Sequence, residues 1–156
     1  MAAAEWMEEA LRLAELAGSE GEIPIGAVVV DASGSIIGRG RNARESGDPL
    51  GHAEILAIRE AAAAMGGWRL VGTTMVVTLE PCAMCAGAIV NARIDRLIFG
   101  ALDPKAGFCG SLGNLVQDAR LNHRVELIAG FEEERSRTLL QTFFRGLRKG
   151  KFGVAE

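Results

Sequence analysis

At 156 residues, 49% hydrophobic and 24% charged, the chain has the size and balance of an ordinary globular domain, which excludes a disordered or fibrous protein. A net charge of −3 excludes a globally basic nucleic-acid binder, so any polyanionic partner has to be held by a local patch of cations. No basic stretch precedes a long apolar run, and nowhere do about 18 apolar residues follow one another, so neither export nor membrane insertion is expected; the expectation is a single cytoplasmic domain over residues 1–156.

In chain order, residues 5–17 carry Trp6, Ala10, Leu13 and Ala17 at helical spacing, with Gly18 as the terminator. The β-branched run 25–30, the turn residues Asp31-Ala32-Ser33-Gly34 and the run 35–41 predict a hairpin, followed by an irregular loop over 42–51. Ile55, Ile58, Ala62 and Met65 mark a second helical stripe closed by Gly66-Gly67, and residues 73–79 predict a buried strand. Pro81 opens a third helix running to about residue 93, residues 96–101 form a strand, and 102–114 are too rich in Gly, Pro and Ser to be regular. A last strand over 125–129 precedes a terminal helix over 131–149 with Leu139, Phe143 and Leu147 on one stripe. Helices alternating with strands after a hairpin imply a layered α/β fold with a mixed sheet of about five strands.

The chemistry concentrates in two short motifs. His52-Ala53-Glu54 and Pro81-Cys82-Ala83-Met84-Cys85 each open a helix after a loop or strand that ends at the same edge of the sheet. Cys82 and Cys85, three apart, place both thiols on one face of a first turn, where the positive end of the helix favours thiolates. With His52 they make one nitrogen and two sulfur ligands, which suits a tetrahedral Zn²⁺ whose fourth position stays open for water; a structural site closes with four protein ligands, and the second histidine, His123, lies far along the chain. Glu54 is two residues from His52, so both face one point only if His52 sits where the loop becomes helix. Alone, the CxxC fits a pair of zinc ligands no better than it fits a redox pair or a turn of buried thiols, and the HxE carries almost no information. Together they resemble the signature of zinc nucleobase deaminases, which implies that the glutamate moves protons and is not a ligand. Between residues 135 and 151 there are six basic residues and no acidic one, with Phe143 and Phe144 among them; this fits phosphate contacts beside a stacking surface, or a solvated helical face over core phenylalanines. Cys109 reads as a plain buried or loop thiol.

The segments Ile23-Pro24-Ile25-Gly26-Ala27, Asp48-Pro49, His52-Ala53-Glu54, Thr78-Leu79-Glu80-Pro81-Cys82-Ala83-Met84-Cys85-Ala86-Gly87, Gly110-Ser111-Leu112 and Asn122-His123-Arg124 closely resemble the bacterial tRNA-specific adenosine deaminases, over about residues 6–149. The resemblance implies a cytidine-deaminase-like fold of three layers, α-β-α, a homodimer with one Zn²⁺ per subunit, and conversion of adenosine to inosine at the wobble position in the anticodon stem-loop of a tRNA. By the same resemblance Asn42 contacts the base, Asp103 and Lys105 handle the flanking nucleotides, and Phe144, Arg145 and Arg148 are contacts from the terminal helix. Two departures, Leu50-Gly51 in place of the usual Thr-Ala and Met75-Val76 where an aromatic residue is common, are expected to bear on the pocket wall. Two other readings stay open: a deaminase of a free nucleoside or base (cytidine, cytosine or guanine), and a zinc-stabilised RNA-binding module without turnover, in which Glu54 is an ordinary acid at a helix N-terminus.

Overall fold

The computed structural model describes residues 2–148. Helix α1, Ala2–Ser19, leads into the hairpin β1, Gly26–Val30, and β2, Ile36–Arg41; α2, Ala53–Met65, then precedes β3, Thr74–Leu79, α3, Ala83–Asn91, β4, Arg96–Ala101, β5, Glu126–Ile128, and α4, Glu133–Arg148. The five strands lie in the order β2-β1-β3-β4-β5, with β1 antiparallel to both neighbours and β3, β4 and β5 parallel. Because side chains alternate across a strand, β1, β3 and β4 feed two cores. Ala27, Val29, Met75, Val77, Leu97 and Phe99 face α2 and α3, whereas Val28, Val30, Val76 and Ile98 face α1, with Leu139 of α4 against them. The mixed five-stranded sheet and the three α-β-α layers are as expected.

Several local expectations are corrected. Gly18 does not end α1: the helix continues to Ser19, and Gly21, at φ +84°, takes the left-handed conformation that turns the chain. The buried face of α2 is Ala53, Glu54, Ala57 and Ala61, and not the stripe of Ile55, Ile58, Ala62 and Met65; Met65 is exposed. The cause lies in β2. A Cβ at Gly40 would fall 2.1 Å from the Ala53 carbonyl oxygen, and one at Gly38 2.2 Å from that of Ala57. Two glycines on the strand and small alanines on the helix let the backbones touch, so the larger residues are displaced to the flanks, where Ile58 and Ala62 are partly covered. The predicted loop 42–51 contains one 3₁₀ turn, Arg44–Ser46. The terminal helix begins at Glu133, because Phe131 still extends the sheet edge by donating its N–H to the Phe99 carbonyl and Glu132 is left-handed at φ 56°. Lys149, the last residue expected in that helix, lies outside the described residues.

Candidate metal centre and the pocket above it

β3 and the loop after β2 deliver two helix N-termini to one edge of the sheet. His52 is the N-cap of α2 and Cys82 the N-cap of α3; both have extended backbone, and neither side chain caps its own helix. Their carbonyls already accept the first helical N–H groups, from Leu56 at 3.2 Å and Ala86 at 2.8 Å. At α2 the capping is done from across the loop, where Asn42 Oδ1 accepts the Ala53 N–H at 3.1 Å. The imidazole and the thiol are thereby left to converge. The expected position of His52 at the loop-to-helix edge holds, whereas Cys82 stands just before the first turn of α3 and only Cys85 lies within it.

His52 Nδ1 is 3.6 Å from Cys82 Sγ and 3.6 Å from Cys85 Sγ. Around a tetrahedral zinc with a Zn–N distance of about 2.0–2.1 Å and Zn–S of about 2.3 Å, nitrogen and sulfur stand roughly 3.6 Å apart. This donor spacing and the N/S/S chemistry fit that ion. Among the described residues these three form the group able to hold a metal. The other histidine is used elsewhere: His123 Nε2 is 2.7 Å from the Ile94 carbonyl oxygen, tying the 115–125 segment to the turn before β4.

Electrostatics divides the two thiols. Cys82 is lowered to about 5, chiefly by a hydrogen bond from the Cys85 thiol, against a smaller burial penalty and with help from the Cys85 and Met84 N–H groups and the His52 ring. Cys85, as the donor in that bond and the more deeply buried sulfur, is raised. Both sulfurs must be deprotonated when they act as ligands. Glu54 lies in the buried first turn of α2, and burial raises its carboxyl to about 7, with the Cys82 charge adding to the effect. Cys109 is a buried thiol, pushed up mainly by desolvation.

Above the donors opens a cavity of about 320 Å³ whose wall includes His52, Glu54, Cys82, Asn42, Asp103 and Lys105, together with Phe144 from α4. Arg145 and Arg148 are not in that wall. They line, with Lys105, Gln141 and Phe144, a neighbouring cleft of about 860 Å³. Among the described residues no ion pair holds Lys105, Arg145 or Arg148, while Arg137, also in the cleft, is paired with Glu133 and Glu134. The two phenylalanines split the expected roles: Phe143 is buried and Phe144 exposed, their rings meeting edge to face at 5.6 Å.

Asn42 is 2% exposed and spends its carbonyl oxygen on the α2 cap, so its amide nitrogen is the part left to a ligand. Asp103 Oδ1 accepts the N–H groups of Lys105 and Ala106 at 3.2 and 3.3 Å, an Asx turn that shapes the pocket rim. Neither departure from the family pattern touches the cavity. Met75 and Val76 are fully buried on opposite faces of β3, Leu50 is exposed on the loop surface, and Gly51 packs under the Ala43 carbonyl. Sequence reasoning missed Arg44, Leu102 and Leu140 in the wall, and gave no role to Glu80. Leu140 could have been found from the helical spacing, since it lies one turn before Phe144.

The profile of the MafB19-like deaminase family matches residues 1–148. The tRNA-specific adenosine deaminase of Bacillus subtilis (strain 168) is 50% identical over 147 residues, which are 94% of this chain and 91% of that protein. A solved structure from a study of A-to-I editing by tRNA:A34 deaminases at the wobble position of transfer RNA superimposes with a TM-score of 0.83 at 44% identity, covering 88% of this chain and 99% of the other. The guanine deaminase of Bacillus subtilis superimposes with a TM-score of 0.61 at 28% identity, covering 94% of this chain and 93% of the other.

Proposed function

The chain belongs to the MafB19-like deaminases and to the family of the tRNA-specific adenosine deaminases, and on that premise we propose that it hydrolyses adenosine to inosine at the wobble position of a tRNA anticodon, with zinc held by His52, Cys82 and Cys85. The observation that carries the substrate is the continuity of two spaces: Lys105 and Phe144 line both the small cavity over the donor triad and the wider cleft bearing Arg145 and Arg148. A base enters the first while its phosphates and neighbouring nucleotides lie along the second. A loop nucleotide is already unpaired, so bringing it to the pocket requires splaying, not the melting of a duplex.

Zinc, when bound, supplies Lewis-acid activation of the attacking water. Glu54 takes a proton from that water as its oxygen bonds to C6 of adenine, and passes it to the ring nitrogen N1. It then carries the remaining proton to the departing amine, and ammonia leaves as the C6 carbonyl of inosine forms. Burial raises the affinity of the Glu54 carboxylate for a proton in the metal-free site, and its place in the cavity wall beside His52 and Cys82 suits it to accept a proton and return it within one cycle. Asn42 presents its amide to the base edge, Asp103 and Lys105 meet the flanking nucleotides, and Phe144 offers a ring face for stacking. A homodimer and a cytoplasmic setting follow from the family resemblance. Three free cysteines suit a reducing compartment, and no helix among the described residues is long and apolar enough to cross a membrane.

Mass spectrometry of zinc-loaded protein incubated with a tRNA bearing adenosine at the first anticodon position, and separately with free adenosine, cytidine and guanine, tests the reading. Inosine forms in the tRNA alone. Turnover of a free nucleoside or base instead keeps the hydrolytic chemistry and removes the RNA-contact roles. The cleft is tested separately by salt. Each of Arg145→Ala and Arg148→Ala weakens tRNA binding and flattens the slope of log affinity against log salt by about 0.7–0.9, the loss of one phosphate contact. A wild-type affinity unchanged between low and high salt excludes the cleft as the RNA track.

A further inference from the structure

Glu80 has no part in the chemistry above, yet it is one of the most thoroughly buried acids in the chain, 1% exposed, between the end of β3 and the metal-helix segment Pro81-Cys82. Both carboxylate oxygens are filled, and by one loop. Oε1 accepts the Asp103 N–H at 2.9 Å and the Ser111 hydroxyl at 2.5 Å; Oε2 accepts the N–H groups of Cys109 at 3.0 Å and Ser111 at 2.9 Å. The loop lies directly on the carboxylate, since a Cβ at Gly107 would come within 2.3 Å of Glu80 Cδ. Its backbone also joins the metal helix, with the Phe108 N–H donating to the Pro81 carbonyl at 2.9 Å and Gly107 bridging to Cys82. The same loop carries Asp103 and Lys105 into the pocket wall, and the Asp103 side chain in turn orients the Lys105 backbone.

Covering a loop needs no buried carboxylate, and burying one is costly unless every lone pair finds a donor. What four charge-assisted bonds provide is direction and short, fixed distances. We propose that Glu80 is a positioning residue that locks the 103–111 loop to the metal-bearing helix and so sets Asp103 and Lys105 against the nucleotides flanking the reactive base. The metal ligands and the reader of the flanks are thereby held in one register. The flank clause rests on the RNA reading above.

Glu80→Gln in the full-length, zinc-loaded protein tests this. Glutamine keeps the size and one carbonyl oxygen, but turns an NH₂ toward the N–H groups of Cys109 and Ser111. The expected result is a KM for an anticodon stem-loop raised roughly tenfold or more, with kcat changed by less than about threefold. Zinc content stays near wild type, the melting temperature falls by several degrees because two N–H donors lose their acceptor, and amide exchange quickens only within residues 103–111. Gly107→Ala presses on the same carboxylate from the loop side while leaving the charge in place, and gives the same KM-weighted pattern. A fall in kcat at constant KM, or unchanged KM and exchange in both variants, overturns the proposal. If wild-type protein turns over a free base and not the stem-loop, the RNA reading fails and takes the flank clause with it, while the exchange measurement still decides whether Glu80 locks the loop.

Discussion

Glu54→Gln lowers the single-turnover rate of inosine formation by roughly 10²–10⁴-fold, the range expected when a positioned proton carrier is removed, while metal content and fold are retained. The substitution keeps the shape of a side chain in the buried turn of α2 and removes only its ability to exchange protons. A variant that deaminates at the native rate ends the role assigned to it, and also revives the reading in which Glu54 is an ordinary acid at a helix N-terminus. Stability moves the other way. The folded carboxyl keeps its proton up to about 7, whereas the ordinary value is 4.5. In the metal-free protein the cost of burying this acid is therefore absent below pH 4.5, grows between 4.5 and 7 and is complete above 7. Its full size is on the order of 3 kcal/mol at about 1.4 kcal/mol per unit. Metal-free Glu54→Gln should accordingly melt higher than metal-free wild type at pH 8 and no higher at pH 4, which calorimetry reads directly.

Stripping the metal with a chelator reduces deamination to background, and adding zinc back restores it. Cys85→Ser cannot be rescued in this way, because its side chain is fully buried and replaces a soft thiolate by a hydroxyl with little affinity for the ion. The protein without metal also melts lower. A ligand present at 100 to 1,000 times its dissociation constant stabilises by about 3–4 kcal/mol, or roughly 5–15 °C for a chain of this size. Full activity after exhaustive chelation, verified by elemental analysis, contradicts a metal role for His52, Cys82 and Cys85.

The site's chemistry was legible because it is written in short runs. Ligand type, spacing and the presence of a helix start all fall within His52-Ala53-Glu54 and Pro81-Cys82-Ala83-Met84-Cys85, and the structure brings those runs together with the donor spacing zinc requires. The strands were legible for a similar reason, since β-branched runs bounded by turn residues need no tertiary information. What failed was the face of α2. Periodicity ranks residues by hydrophobicity, and on that scale isoleucine and methionine outrank alanine. The outcome was decided by Gly38 and Gly40 on another element, which leave room for alanine and for nothing larger. Asn42 shows a second limit: the resemblance assigns it a base contact, whereas the folded side chain gives its carbonyl oxygen to the α2 cap while lining the cavity. Glu80 was hidden because its partners at Asp103, Cys109 and Ser111 are 23 to 31 residues away, and three of its four bonds come from main-chain N–H groups that no side-chain motif encodes.

The glycine and alanine seam between β2 and α2 also governs how such an enzyme could be altered. Because the helix rests on bare strand backbone, the height of His52 and Glu54 above the sheet is set by atoms that have no smaller substitute. A library of random variants selected for new substrates would accumulate its survivors on the rim, at Arg44 and around residues 102–106. It would be almost empty at Gly38 and Gly40, which touch no substrate. The positions most open to retraining are those that line the pocket without packing in the seam, and specificity can drift while the reaction stays anchored.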